Sequence, residues 1–374
     1  MAFHFQSPGI AGGTTLLECL LEASSRASSG WGAFAYASRQ GVRLLFHDEV
    51  FTRFLRDGDF KVVVGTDSIT NTRAIESLRA FGDQHESFEC KAFYQNPVRK
   101  LFHPKFCWFE HKNARGHVIG GTRITGSGNL TGGGLTTNWE AFTVSRLNAA
   151  AIRAEREKWL AWNLASAPFL KALDDADVLA RAAANVRVPR SAQRVPAPAQ
   201  PGIAPAEAED NFAEDIVVDA PAAANDVLVA EIPKSKERWK QANFDVDNYE
   251  QFFGFTRGQV RRVVLQHVTP NGVLGDVEAR PGVEVASKNY RLELEAASGL
   301  AYPAGGRPIG VFVKTEDRVF RYCLLMPGSP GYAQVTAFLL ANWHGGRNKV
   351  SRVRTHAATL RVSWPGAPAQ LLPV

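Results

Sequence analysis

The sequence predicts an α/β layered domain followed by a mainly β, barrel-like domain. Strands alternate with helices in the first half, whereas β-type runs separated by Gly- and Pro-rich turns fill the second half. An Ala- and Pro-rich stretch divides the two halves, and such a composition is typical of a linker. We therefore predict a mixed sheet flanked by helices in residues 1–182, a linker in residues 183–225 and a β domain in residues 226–374.

The elements of the first domain follow from its periodicity. A short apolar strand, Phe60–Val64, is followed by Gly65-Thr66-Asp67 and then by a helix with apolar residues at Ile75, Leu78 and Phe81. Three further strands and one long helix are predicted, at Leu101–Phe109, His117–Ile124, Trp139–Val144 and Ala150–Leu173. This order indicates one sheet covered by helices.

The second domain is rich in short β-type runs. Strands are predicted at Gln259–His267, Val283–Leu292, Arg307–Val313, Val319–Met326 and Thr359–Ser363. Two short helices are predicted at Asp245–Phe253 and Gln334–Trp343. Several short strands with few helices favour a barrel-like arrangement.

Composition restricts the class of protein. The chain has 374 residues, of which 45% are hydrophobic and 21% charged, and its formal net charge is +6. This basic balance is compatible with a polyanionic partner. Its four cysteines form no CxxC pair, which argues against a zinc site or a disulfide framework. No apolar run approaches the ~20 residues of a membrane span, so we expect a soluble, cytoplasmic protein without a membrane partner.

One constellation of residues points to chemistry on a phosphodiester. His103 and Lys105 lie two residues apart, and this spacing places both side chains on one face of an extended strand. A neutral imidazole is a competent nucleophile near pH 7, and an adjacent ammonium stabilises charge on a phosphate. The turn Gly126–Asn129, which includes Ser127, offers backbone donors and a side-chain amide. Glu140, on the next predicted strand, is a candidate to orient the imidazole.

The pattern HPK, followed by GSGN and then by a downstream Glu, resembles the phospholipase D superfamily. The resemblance implies that His103 is the nucleophile and that Lys105 and Asn129 bind the phosphate. It also implies a contact of Ser127 with the phosphate or with the residues around it. The family's Asp falls on Glu110, a departure that leads us to expect no catalytic role there and to prefer Glu140 as the orienting carboxylate.

The resemblance also predicts how the site is completed. Superfamily enzymes use two H-x-K motifs in one site, whereas this chain has one. We therefore expect a homodimer that shares one active site across a two-fold axis, with two coupled histidines. A covalent phosphohistidine intermediate is expected, without a metal or any other cofactor.

The second domain suggests that the substrate is double-stranded DNA. In the segment Ile232–Phe244 cationic residues alternate with small or apolar ones, and Gln and Asn can read base edges. The DNA contacts predicted here are Lys234, Ser235, Lys236, Arg238, Trp239 and Gln241. A second basic cluster contains Arg347, Asn348, Lys349, Arg352 and Arg354, and a third contains Arg257, Arg261 and Arg262. Each cluster alone is equally compatible with a solvated charged face.

This domain resembles the C-terminal domain of phospholipase D-type restriction endonucleases, which is similar to the plant B-three DNA-binding pseudobarrel. The resemblance implies two arms that grip the major groove, the second of which is either Asn271–Arg280 or Arg347–Arg352. It predicts a metal-independent type II restriction endonuclease with a cognate DNA methyltransferase. Alternatives are a nuclease subunit that depends on a helicase or translocase, a phospholipase or phosphatidyltransferase, and a catalytically silent DNA-binding protein.

The linker carries an acidic run. Its carboxylates are Glu207, Glu209, Asp210, Glu214, Asp215 and Asp219. Solvation of a linker explains them most simply, and a sharper hypothesis is a DNA mimic that occupies the nuclease cleft.

Overall fold

The computed structural model describes residues 1–7, 10, 12–96, 100–185, 216, 218–234, 239–284, 290–345 and 350–373. The chain divides into two compact units. One unit comprises Met1–Pro8 and Gly13–Ile216, and the other comprises Gly9–Gly12 and Val217–Val374. In the part of the chain that is described, no helix is both long and apolar enough to cross a membrane.

The first unit is an α/β domain. Its strands are β1 (Ala2–Gln6), β2 (Ser29–Phe34), β3 (Asp59–Gly65), β4 (Phe88–Phe93), β5 (Lys105–Lys112), β6 (Val118–Gly126), β7 (Glu140–Asn148) and β8 (Leu170–Lys171). Its helices are α1 (Leu16–Ser24), α2 (Arg39–Phe46), α3 (Glu49–Asp57), α4 (Thr72–Gln84), α5 (Ala149–Ser166) and α6 (Ala176–Ala184). The predicted long helix ends earlier than Leu173 because Pro168, which lacks an N–H, lies in a short 3₁₀ turn after α5.

These strands form one mixed sheet in the order β1-β7-β6-β5-β2-β3-β4-β8. The pairs β2–β3 and β3–β4 are parallel, and the remaining pairs are antiparallel. On one face Trp31 and Trp108 stack with ring centroids 3.9 Å apart and pack with Ile152 and Trp159 of α5. On the other face Phe60 contacts aromatic rings of α2 and α3. The predicted mixed sheet flanked by helices is therefore confirmed.

The second unit contains more strands than its sequence predicts. They are β9 (Asp226–Glu231), β10 (Gln241–Phe244), β11 (Arg262–Val268), β12 (Leu274–Pro281), β13 (Val283–Glu284), β14 (Tyr290–Glu293), β15 (Ile309–Glu316), β16 (Val319–Leu325) and β17 (Arg352–His356). Its helices are α7 (Tyr332–Asn342) and α8 (Ala357–Ser363). The predicted helix at Asp245–Phe253 is a single π-helical turn, Asn248–Phe252.

The strands of the second unit form two open sheets. Six strands are ordered β12-β11-β16-β15-β9-β17, and three are ordered β10-β14-β13. Separate hydrophobic clusters contain Leu228 and Ala230 on one side of β9 and Val227 and Val229 on the other, so both faces of the larger sheet are buried. Among the described strands no closed barrel is formed, which corrects the barrel-like arrangement expected from the strand runs.

One predicted strand of the second unit is wrong. The run Thr359–Ser363 lies within helix α8. Ala357, Leu360 and Trp364 are all buried, and their spacing of three and four residues follows the helical period. The helical spacing of its apolar positions therefore determines the structure of this segment, although its residue types favour a strand.

Candidate active site

The strand registers bring the residues of the predicted motif to one end of the first sheet. Phe106 pairs with Thr125, and Gly126 pairs with Phe142. Continuing these antiparallel registers places residues 103, 128 and 140 side by side. Glu140 in turn pairs with Gln6 of the edge strand. Residues far apart in sequence therefore meet where β5, β6 and β7 begin or end.

His103 and Lys105 are in direct contact at this end of the sheet. The Lys105 Nζ lies 2.7 Å from His103 Nε2 and 3.2 Å from Nδ1. At these distances the ammonium and the imidazole are close enough to meet one phosphate group, as nucleophile and charge-stabilising cation. The Tyr36 ring meets the imidazole edge-on, with centroids 6.0 Å apart. The imidazole is exposed, so a substrate can reach it.

Ser127 and Glu140 form a second polar contact. The Ser127 hydroxyl donates to Glu140 Oε2, and the Ala141 N–H donates to Ser127 Oγ over 3.0 Å. The Asn138 side-chain amide donates to Glu140 Oε1 over 3.5 Å. These donors fix the orientation of the Glu140 carboxylate. An anchored carboxylate at this position is suited to orienting a histidine.

Asn129 lies in the glycine-rich turn with an unsatisfied polar atom. Its side chain is only 5% exposed, and its Oδ1 is buried without a hydrogen-bond partner among the described residues. A buried, unpaired amide costs about 1–3 kcal/mol and is uncommon outside functional sites. The next residue is fixed, because Leu130 N donates to Tyr36 O over 3.1 Å and Leu130 O accepts from Ser38 N over 2.9 Å.

Two positioning residues are missing from the sequence prediction. Gln6 is buried, its amide donates to Asn138 O over 3.0 Å, and its Oε1 accepts from Leu16 N over 2.8 Å. Gly134 packs so closely that a Cβ there would lie 2.7 Å from Asn129 N. A lone Gln in the strand AFHFQ was the available signal for the first residue. The close approach at Gly134 depends on folding and has no local signal.

Glu110, which aligns with the family's Asp, has a structural explanation. It is fully buried on β5, five residues from Lys105, and it pairs with Arg156 at 3.3 Å and Lys112 at 3.5 Å. At ~3.3 Å per residue this separation places Glu110 roughly 16 Å along the strand from Lys105. These contacts account for its presence without a catalytic role.

The predicted DNA contacts that the structure describes in the second unit differ in their exposure. Trp239 is 4% exposed, and its indole N–H donates to Leu300 O over 3.0 Å. This corrects its predicted role, because a ring buried in the core cannot contact DNA. Lys234 is exposed, and its Nζ lies 6.0 Å from the Tyr302 ring centroid. Gln241 accepts from Arg291 over 3.5 Å. Several predicted contacts lie outside the described residues: Ser235, Lys236, Arg238, Arg347, Asn348 and Lys349.

Several arginines of the predicted basic clusters have partners within the second unit. Arg352 bonds Asn243 O over 2.6 Å and pairs with Asp245 at 3.3 Å. Arg354 donates to Asn248 over 2.8 Å, and Arg257 pairs with Glu250 at 2.6 Å.

Within the candidate second arm at Asn271–Arg280, Arg280 pairs with Glu278 at 2.6 Å, and Glu295 accepts from it as well. These guanidinium groups already bond to partners within the second unit, so their positive charge alone does not mark a DNA-binding surface.

The cysteines and carboxylates of the described ranges do not gather into a metal-binding group of three or more with histidine. The acidic run of the linker falls outside the described residues except for Asp219.

Comparison with known proteins gives only distant similarities. No protein-family model matches the sequence, and no curated protein matches it. Nuc from Salmonella typhimurium, a phospholipase D family member, is 17% identical over 46% of this chain and 96% of its own, with a TM-score of 0.32. NucT from Helicobacter pylori is 13% identical over 44% and 98%, with a TM-score of 0.30. The N-terminal domain of Helicobacter pylori LlaJI.R1 is 10% identical over 35% and 97%, with a TM-score of 0.25. Identities and TM-scores this low do not assign a function.

Proposed function

We propose that the chain is a phosphodiesterase of the nuclease type whose nucleophile is the His103 imidazole. The observation that carries this proposal is the Lys105 Nζ, 2.7 Å from His103 Nε2, at the sheet end where Ser127, Asn129 and Glu140 also lie. The parts match the needs of phosphoryl transfer: a nucleophile, a cation for the non-bridging oxygens and an anchored carboxylate.

The proposed reaction proceeds in two displacements. A His103 nitrogen attacks phosphorus, a P–N bond forms, and the bond to the leaving oxygen breaks. Lys105 and the Asn129 amide stabilise the charge on the non-bridging oxygens. The leaving oxygen takes a proton from a second, protonated imidazole. Water then attacks phosphorus, gives its proton to that imidazole and breaks the P–N bond.

The second imidazole in this scheme is His103 of another copy of the chain. The sequence contains a single H-x-K, so a homodimer with one shared site supplies the missing acid. An exposed apolar surface supports such an assembly: Trp139, next to Glu140, is 69% exposed, and Phe3 and Phe5 are exposed on the edge strand β1. Mixing wild-type chains with excess His103→Ala chains tests it, because a shared site predicts that activity falls as mixed dimers form.

The second unit is proposed to read DNA sequence, as a B-three-like domain of a type II restriction endonuclease would. Support comes from a polar row on the three-stranded sheet, where Asn243 pairs with Arg291 in register and accepts from its Nε over 3.1 Å. Gln241 accepts from the same guanidinium. Amide and guanidinium groups are the side chains that read base edges. A cognate methyltransferase would protect the host's sites.

Incubation of the purified protein with plasmid DNA in excess EDTA tests the function. Wild type is expected to give discrete fragments and His103→Ala none, whereas His117→Ala, which changes an exposed histidine away from the site, should cleave normally. A smear of fragments would be consistent with a nuclease but would contradict sequence specificity. Failure to cleave with or without Mg²⁺ would contradict the nuclease itself.

A further inference from the structure

A cavity of about 550 Å³ lies beside the proposed nucleophile. Its lining combines aromatic and polar side chains. The aromatic residues are Phe93, Phe102, Phe106, Trp108, Trp159 and Trp162, and the polar ones are Gln95, Lys100, His103, Glu155 and Lys158. His103 therefore borders both the candidate active site and this cavity, and a molecule held here touches the reacting group.

Flat aromatic faces dominate the walls. Phe93 and Phe102 stack with centroids 4.3 Å apart and an interplanar angle of 11°. Phe102 and Trp162 are also nearly parallel, at 26°, but their centroids are 6.2 Å apart. Trp159 lies 5.4 Å from Trp162, with its ring tilted by 40°. The nearly parallel rings of Phe93, Phe102 and Trp162 form a platform for a planar aromatic ligand, because every nucleobase has a π-face.

The lining of the cavity also provides polar groups that can recognise a ligand. The Gln95 side-chain amide has no hydrogen-bond partner in the described ranges, and amides of this kind pair with base edges. Lys100 is exposed and Lys158 is paired with Glu155 only at 3.8 Å, so both ammonium groups can meet a phosphate. A mostly apolar pocket with a few convergent polar groups is typical of a ligand site.

We propose that this cavity holds an unstacked nucleobase of the nucleotide that carries the scissile phosphate. The inference rests on the proposed nuclease function and adds its substrate requirement: the base next to the cut leaves the helical stack. A base in duplex DNA is flipped out to reach the cavity, whereas a single-stranded base enters directly. The aromatic platform, the free amide and the bordering His103 together favour a nucleotide over a purely apolar ligand, which has no use for the two lysines.

Binding of a single-stranded oligonucleotide that carries one 2-aminopurine tests the proposal in the full-length protein. Stacking is expected to quench the 2-aminopurine fluorescence. Trp162→Leu keeps an apolar side chain but removes the ring, and it should weaken binding about 5- to 150-fold. Gln95→Ala tests the amide without touching the aromatic packing. Leu164→Ala is the matched control, because Leu164 lies on the same helix, is exposed and does not line the cavity.

The outcomes separate this proposal from the nuclease function. Quenching in wild type that is lost in Trp162→Leu supports the base site, even if no DNA is cleaved. Equal affinity of all three variants without quenching overturns it, even if cleavage is normal. Equal cleavage of intact DNA and of DNA with an abasic site at the cut also overturns it. Matched and mismatched duplexes distinguish the source, because quenching on a matched duplex requires base flipping.

Discussion

Two glutamates of one sheet differ in burial and in bonding partners according to their position on a strand. Glu140 begins β7, is half-buried, and accepts from Ser127 and Asn138. Glu110 lies deep in β5, is fully buried, and is neutralised by Arg156 and Lys112. The Glu140 carboxylate, at the end of the sheet, is held by hydrogen bonds and remains partly exposed. The Glu110 carboxylate, within the sheet, is buried and forms ion pairs. The five predictions below test this contrast between the catalytic end of the sheet and the regions that serve only the fold.

The largest effect is expected at the nucleophile. His103→Gln should reduce cleavage on the order of 10⁴-fold or more, because the proposed P–N bond needs the imidazole and an amide nitrogen is a poor nucleophile. The free energy of unfolding should change little, since the side chain is exposed. Single-turnover cleavage and urea titration measure the two quantities. Residual activity within tenfold of wild type would contradict the assignment.

The two glutamates should respond in opposite ways to the same change. Glu140→Gln should slow cleavage about 10²- to 10⁴-fold with little loss of stability, because it removes an orienting charge. Glu110→Gln should cost about 1–3 kcal/mol of stability, less than a fully buried pair because Arg156 is partly exposed, and leave cleavage per folded molecule near wild type. If the same variant showed the larger loss in both cleavage and stability, the proposed difference between the two glutamates would be contradicted.

Asn129 should show a trade-off between activity and stability. Asn129→Ala should slow cleavage about 10²-fold, the effect of losing one donor to the developing charge. It should leave stability unchanged or raise it by up to about 1 kcal/mol, because it removes a buried oxygen without a partner. Thermal unfolding and kcat on one DNA substrate measure both. A marked loss of stability would show that the amide serves the turn instead.

A smaller effect is expected in the second unit. Arg291→Gln should weaken binding of the cognate DNA about 5- to 100-fold, the loss of one bidentate base contact, and leave non-specific binding almost unchanged. Arg354→Gln is the control, because Arg354 bonds to Asn248 and lies outside the polar row of Gln241, Asn243 and Arg291, so it should leave the preference for cognate DNA unchanged. Gel shifts at fixed salt measure both, and equal losses on cognate and random DNA would argue against base reading by Arg291.

The smallest effect concerns pH. Burial lowers the pKa of His47 and His111 in the first unit, and the nearby Arg43 and Arg26 add to it. Burial likewise lowers the pKa of His267 in the second unit. A lowered folded-state pKa means that the unfolded chain binds protons first, so stability is intact above the ordinary pKa of 6.5 and falls as pH drops below it. Urea unfolding at pH 7.5 and 5.5 should show this loss, reduced in His111→Gln. A flat profile would contradict it.

The sequence predicts that His103 and Lys105 lie together, and the structure places them in contact at the proposed catalytic end of the first unit. His103 and Lys105 are two residues apart, and a spacing of two is a local property of a strand. Gln6 and Gly134 escape prediction because their roles depend on the pairing of β1 with β7 and on the packing of the Asn129 turn. The pairing of β1 with β7 joins residues more than a hundred positions apart, and periodicity carries no information about it.

Charge patterns predict less than strand spacing does. The alternation around Trp239 suggests an exposed arm, yet the ring packs in the core and bonds Leu300. Arg352 and Arg354 belong to a basic cluster, yet both tie β17 to the neighbouring π-helical turn and its flanks. A run of cations does not specify whether its partners lie inside the fold or outside it, whereas a spacing of two along a strand does specify that two side chains share a face.

Detection of a covalent intermediate tests the central claim most directly. Protein mixed with end-labelled DNA in EDTA is quenched during the first turnover, digested with protease and analysed by mass spectrometry. We expect a phosphoramidate adduct, labile to acid, on the peptide that contains His103. We also expect retention of configuration at a chiral phosphorothioate, because two displacements each invert the phosphorus. Cleavage without an adduct and with inversion of configuration would contradict it, because a single displacement by water requires no histidine nucleophile.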